Sequence, residues 1–376
     1  MTFVRLLVLV TVSVLGVMVL RSNAADDTPV PTISIYGLAH VSADYTDNGS
    51  SGGTYLSSNS SRLGFKGGAK LNDDFAVIYQ LESQVNLNGS GGVFASRNSY
   101  VGFNGEFGQL WGGIYDTPFK QACDLTDLVR DRIGDYKNIA GNAGKFDLRP
   151  NNMVLYQTPA CAGLNATLGY AMADGTNYSD LGSANICYKT NNLKLMAAYE
   201  VHGKAITGTA ASSAYEVSSA IDPLTGQNKV VTVTTPAKLS EDNESGIRFT
   251  ASYTFNAIEL IGLYEKLFDV GGLPNNDRET YGGAFILDMS RGYALRGECL
   301  SAGKTGDKDG TEAIEYAGAV DKKLSANTTI YISCATMDNG SASSLTATGG
   351  GHGSKVSPAA AGDSVQSESL GVIYTF

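Results

Sequence analysis

From Thr32 to Phe376 apolar side chains recur at every second position over many short stretches, and this period of two restricts the fold more than any other feature of the chain. Ile247, Phe249, Ala251, Tyr253 and Phe255 fall on one face of an extended segment, with Arg248, Thr250, Ser252 and Thr254 on the other. Leu193, Leu195, Ala197, Tyr199 and Val201 alternate in the same way, as do Leu370, Val372, Tyr374 and Phe376. Strict alternation over about 8–10 residues marks strands with one apolar and one more polar surface. Composition agrees, because 45 glycines among 376 residues would each cost about 1 kcal/mol in a helix interior. A charged fraction of only 17% argues against a disordered, charge-rich chain.

Sixteen strands are predicted, near 32–44, 61–70, 75–84, 99–104, 109–115, 153–158, 166–172 and 185–189, then 193–201, 246–255, 258–266, 280–288, 294–301, 312–321, 328–337 and 369–376. Their connections alternate in length. Short turns fall at 72–73, 105–108, 159–165, 190–192, 256–257, 289–292 and 322–327; long polar loops fall at 45–60, 85–98, 116–152, 173–184, 202–245, 267–279, 302–311 and 338–368. This rhythm places every short turn, and both ends of the chain, at one rim of an up-and-down barrel. A sandwich does not require it. In hydrocarbon every backbone N–H and C=O must be paired, so a spanning sheet has to close on itself. The predicted fold is therefore all-β, a 16-stranded antiparallel transmembrane β-barrel, too wide for side chains to fill and so water-filled. The 20 tyrosines suit interfacial girdles, where the ring is buried and the hydroxyl stays wet.

Residues 1–24 read as a secretory signal peptide. Arg5 supplies positive charge, 6–20 is apolar apart from Thr11 and Ser13, and Ser22-Asn23-Ala24 offers small residues for cleavage. Residues 25–376 are then one exported barrel domain, and losing Arg5 and Arg21 with no acids takes the formal charge from −10 to −12. Such acidity leaves no basic face for nucleic acid. Five cysteines (Cys123, Cys161, Cys187, Cys299, Cys334) show no CxxC or Cys/His spacing, and an odd count leaves at least one outside any intramolecular disulfide. Three well-separated histidines, His40, His202 and His352, offer little for a metal or triad, so no metal, cofactor or catalytic set is expected. Gly349-Gly350-Gly351 with Gly353 is not read as a phosphate cradle, since no helix pattern follows it. The loops 202–245 and 338–368, rich in Ser, Thr, Ala and Gly, read as mobile surface loops.

Five fragments carry a family resemblance: Ser61-Arg62-Leu63-Gly64-Phe65-Lys66-Gly67, Phe75 to Ser83, Arg97-Asn98-Ser99-Tyr100-Val101-Gly102-Phe103, Phe107 to Gly113, and Arg149-Pro150-Asn151-Asn152-Met153 through Pro159. In this order and spacing the chain resembles the Gram-negative general diffusion porins of the proteobacterial type. The terminal Tyr374-Thr375-Phe376 resembles the signature that the outer-membrane assembly machinery reads. The resemblance implies a homotrimer in an outer membrane of lipid bilayer and lipopolysaccharide, passing small hydrophilic solutes and ions. It also implies that the third long loop, 116–152, folds into the lumen and narrows it.

That loop carries six acids and six bases, so it is neither a plain acidic nor a plain basic plug. Opposed charges across a narrow water path create a transverse field that sorts solutes by charge and dipole. The family position of the arginines puts Arg62, Arg97 and Arg149 on a basic wall, facing carboxylates among Asp124, Asp127 and Asp131. For each of these the competing role is a salt bridge that staples the loop in place. Two further functions stay open beside the passive channel and a substrate-specific channel: a barrel-housed enzyme, with His40 as its candidate base, and a structural surface protein. The balance between an acidic mouth and a basic constriction is left undecided by the sequence.

Overall fold

The computed structural model describes residues 31–89, 94–125, 127–141, 146–172, 180–203, 212–221, 228–235 and 243–376. The expected signal peptide, 1–24, lies outside them.

The first eight staves of the barrel are β1 (Thr32–Asp47), β2 in two segments (Gly52–Ser58 and Arg62–Lys70), β3 (Phe75–Gln84), β4 (Ser99–Gly105), β5 (Gly108–Ile114), β6 (Met153–Gln157), β7 (Leu164–Met172) and β8 (Asp180–Lys189). The other eight are β9 (Leu193–His202), β10 (Glu244–Phe255), β11 (Ile258–Phe268), β12 (Arg278–Met289), β13 (Tyr293–Ala302), β14 (Ala313–Lys323), β15 (Thr328–Asn339) and β16 (Val365–Thr375). Each pairs antiparallel with its neighbours in sequence. β1 also pairs with β16, Leu38 opposite Thr375 through Asp47 opposite Gln366, which closes the sheet. The two segments of β2 pair in succession along β1, so seventeen segments make sixteen staves. Strands of 10–12 residues such as β10 to β15, tilted at ~45°, cover roughly 25 Å, enough for the hydrocarbon layer.

The expected alternation is present side chain by side chain. On β10, Phe249, Tyr253 and Phe255 are exposed on the outer surface, whereas Arg248, Thr250 and Ser252 are buried on the inner one. Ile332 and Leu370 are likewise exposed on the outer surface, with Ser333 and Ser369 buried. A lipid-facing exterior and a hydrated interior follow from that parity.

Two loop expectations need correction. Residues 45–60 are not a long loop, because β1 and β2 run on as a hairpin to a turn at 48–51. There the Asn48 side chain accepts hydrogen bonds from Ser50 N and Ser51 N, and Gly49 takes a φ of +91°. The serines that look loop-like in sequence (Ser57, Ser58, Ser60, Ser61) are buried on the barrel's inner side, where polarity belongs. Nor is 338–368 a surface loop throughout, although 341–342 and 359–361 are exposed. Ala347 and Thr348 are wholly buried, and the segment lies against the 116–148 loop. Within 202–245, 212–221 and 228–235 form a hairpin that pairs with itself alone among the described strands.

Candidate functional site

The 116–148 loop packs on the polar, inner face of the barrel. It opens with a single helical turn, α1 (Pro118–Gln121), whose Thr117 cap accepts from Lys120 N, with Pro118 at a position needing no amide donor. Phe119 N donates to Ser183 Oγ at 3.0 Å, Asn185 Nδ2 to the Pro118 carbonyl at 2.8 Å, and Thr250 Oγ1 to the Ala122 carbonyl at 2.8 Å. Farther on, Asn138 Nδ2 donates to Glu315 Oε1 at 2.7 Å and Gly141 N to Glu265 Oε1 at 2.8 Å. Arg132 and Arg296 both pair with Asp321, at 2.6 and 2.8 Å. Arg248 is fully buried between Asp147 and Glu265.

Apolar packing fixes the loop more firmly than its outer ion pairs. Val129, Ile133, Tyr136 and Ile139 are buried in one cluster with Ala302, Ala313, Ala317, Ala319 and Ala335 of β13, β14 and β15. Burying a large apolar side chain contributes about 1.5–3 kcal/mol, so these four supply on the order of 6–12 kcal/mol. A partly exposed pair such as Arg130–Asp127 contributes about 0–1 kcal/mol. The alanines matter through their size. They leave a shelf into which Gly134 fits at a φ of +75°, where an added Cβ would stand 2.4 Å from that of Ala317.

Between this loop and strands β1 to β3 lies a cavity of ≈ 850 Å³. Arg62, Arg97 and Arg149 all line it, as do Asp127 and Asp131. Asp124 sits in the short turn Ala122–Leu125, its side chain outside those described. Arg62 faces Asp131 across 3.8 Å. The other arginines find partners that the sequence reading did not single out. Arg97 Nε donates to Glu82 Oε1 at 2.7 Å, and the Tyr36 hydroxyl donates to the other oxygen of Glu82 at 2.9 Å. Arg149 pairs with Asp116 at 3.0 Å and donates to Asn98 Oδ1 at 2.6 Å. Lys120 also pairs with Asp116, at 2.7 Å. Asp127 meets Arg130 at 3.0 Å and Lys137 at 3.6 Å. Glu82, Asp116, Lys66 and Lys120 could have been found by strand parity and (i, i+4) spacing once the loop's direction was known.

Burial raises the Asp116 carboxyl, but Lys120 and Arg149 outweigh it and hold the group below the usual carboxylate range. For Asp127 the balance reverses. Burial, then the Asp135 charge, push it up to about 7 despite Lys137 and Arg130. Burial opposes the charge of Lys137, yet Asp135 and Asp127 keep it protonated and raise it. Among the described residues the cavity wall carries seven cationic side chains (Arg62, Lys66, Arg97, Lys120, Arg130, Lys137, Arg149) against four acidic ones (Glu82, Asp116, Asp127, Asp131). The local balance is therefore basic although the chain as a whole is acidic.

His40, the candidate base, is buried and hydrogen-bonded through Nε2 to the Tyr331 hydroxyl at 2.8 Å, with the rings edge to face. No group of three or more His, Cys, Asp or Glu among the described residues could hold a metal ion. Cys161, Cys187, Cys299 and Cys334 are free thiols.

The sequence profile of the Gram-negative porin family matches residues 12–342. Over 156 residues the chain is 28% identical to the major outer membrane protein P.IB of Neisseria meningitidis serogroup A, covering 40% of this chain and 46% of that protein. Over 194 residues it is 25% identical to the chitoporin of Vibrio furnissii, covering 47% and 52%. The matches thus span about half the length of these curated relatives. The fold is similar to that of the anion-selective porin from Comamonas acidovorans, with a TM-score of 0.73 and 21% identity, covering 92% of this chain and all of that one.

Proposed function

We propose that this chain, which belongs to the Gram-negative porin family, is a passive outer-membrane channel through which small hydrophilic solutes and ions diffuse, with anions favoured at its narrowest point. The observation that carries the reading is the basic excess on the wall of the cavity inside a closed barrel. A solute passing there leaves bulk water and meets guanidinium and ammonium groups a few ångströms away. Wall charges at that distance weigh more than the diffuse acidity of the outer loops, which salt screens over about 8–10 Å. Arg62, Arg97 and Arg149 form the basic side, and Asp131, with Asp127 behind it, the acidic rim of the 116–152 loop, which acts as the constriction. Arg97 and Arg149 do this while ion-paired to Glu82 and Asp116, so each both holds structure and lines the path.

Residues 1–24 act as the export signal. Three copies assemble in the bilayer beside lipopolysaccharide, after the outer-membrane assembly machinery reads the terminal strand. Supporting that reading, Tyr374 and Phe376 are exposed and stack on each other, with ring centroids 6.0 Å apart. A porin fold and family speak for a channel rather than an enzyme, and the hydrogen-bonded, buried His40 is ill placed as a base. The test is single-channel recording of the refolded protein across a salt gradient, beside an Arg62→Ala variant. Open steps without added ligand, a reversal potential of anionic sign, and a weaker anion preference in the variant are expected. A silent, folded barrel defeats the channel reading, and a cationic sign defeats the basic wall.

A further inference from the structure

The glycine run in 338–368 has no side chains of its own, and it packs against the cavity's acidic rim. A Cβ added to Gly351 would stand 1.7 Å from Asp131 Oδ1, and one on Gly350, whose φ is +62°, 2.9 Å from Asp135 Cγ. Bare backbone therefore lies directly on these two carboxylates, at a distance that only glycine allows. The next residue, His352, places Nε2 3.1 Å from Asp44 Oδ2, and the Ser57 hydroxyl donates to the same oxygen at 2.5 Å. Asp44, Asp131 and Asp135 are 1%, 6% and 0% exposed, while Gly350 to Gly353 line the same cavity as Arg62. The turn is anchored on both sides. Gly349 N donates to Asn138 Oδ1 at 2.8 Å and Gly134 N to the Ala347 carbonyl at 2.8 Å; Ser60 Oγ donates to the Gly351 carbonyl and Gly353 N to Asn59 Oδ1, both at 2.9 Å.

We propose that the 349–353 turn is a selectivity element of the channel: by covering the carboxylates of Asp44 and Asp135 it keeps them off the cavity wall and preserves that wall's basic excess. Asp44 sits behind His352 and Asp135 behind Gly350, so neither carboxylate touches an ion on the water path. Uncovering them would add negative charge to that wall and cancel part of its basic excess. The loop then acts on charge as well as on width, although it carries neither an arginine nor an aspartate at the point of contact. This inference rests on reading the cavity as the ion path.

Its test compares three variants with the unaltered protein in planar bilayers under a KCl gradient: His352→Ala, His352→Ala with Asp44→Asn, and replacement of 346–355 by a short Gly-Ser linker. His352→Ala is expected to shift the chloride-to-potassium permeability ratio toward potassium by about two-fold. Adding Asp44→Asn should return it to the starting value, a rescue that a merely structural role for His352 would not give. The linker variant should shift at least as far and conduct more. Where it does not fold, the point variants decide alone. An unchanged ratio in folded, heat-modifiable His352→Ala barrels overturns the proposal, as does a shift that persists when Asp44 is neutral. The sign of the unaltered channel tests the basic wall separately, since the shift is read relative to it.

Discussion

At the scale of single residues, the channel's charge balance depends on how each carboxylate is held. Asp116, between Lys120 and Arg149, is ionised over the whole physiological range. Asp127 is different, because burial and Asp135 raise it to about 7. A raised folded value means that proton binding stabilises the docked loop at low pH, and that this support is lost as pH rises through about 7. Above that pH the cavity wall also gains a negative charge. Between pH 6 and pH 8 the anion preference should therefore fall, with Asp127→Asn flattening the dependence; reversal potentials at the two pH values read it. An equally steep change in the Asn variant would place the titrating group elsewhere. Neither behaviour was legible in the sequence, where Asp116 and Asp127 are two acids of one mixed loop. Which acid meets two cations and which is crowded by another acid depends on the fold of that loop.

At the scale of elements, the 116–148 loop and the inner faces of β13 to β15 form one unit. Strand parity, readable in the sequence, assigns Ala317, Ala319 and Ala335 to the interior, but it does not say why those positions are small. The structure supplies the reason, because Val129, Ile133 and Tyr136 fill the space that the missing side chains leave. Gly134 is the tightest point of that contact, at a positive φ and over Ala317. Gly134→Ala should weaken loop docking by about 1–3 kcal/mol, from overpacking and left-handed strain together. Limited trypsin digestion next to Arg130 and Arg132 is expected to speed up about tenfold or more, while the heat-modifiable barrel band stays in place. Unchanged digestion would mean that the shelf does not set the loop's position. The opposite error of scale concerns 45–60, where polar serines suggested a loop and the chain instead continues the β1–β2 hairpin. Inside a hydrated lumen, a strand's inner face looks like a loop to any reading based on polarity.

At the scale of the whole molecule, a formal charge of −10 and a basic wall compete for control of permeation. Salt separates them. The screening length shortens from about 10 Å at 0.1 M to about 3 Å at 1 M, so the diffuse field of the outer loops fades while contacts at the wall persist. The sign of the reversal potential should thus stay anionic at 1 M KCl. A reversal of sign between the two salt concentrations would hand control to the diffuse charge. Closure itself, with β1 against β16 over ten register pairs from Leu38 to Asp47, leaves no edge among the sixteen described staves to pair with another chain in the bilayer.

The sequence by itself determined the barrel: sixteen strands, their parity and most of their turns follow from local periodicity, since lipid on one side and water on the other impose a choice at every residue. It also brought forward Arg62, Arg97 and Arg149, all of which line the cavity. Tertiary structure alone decided which charges meet. Arg97 lies against Glu82, Arg149 against Asp116 and His352 against Asp44, contacts that join positions up to 308 residues apart in the chain. Such pairs carry no local pattern, because a loop folded into a hydrated lumen is positioned by apolar packing and glycine clearance rather than by the period of its own sequence.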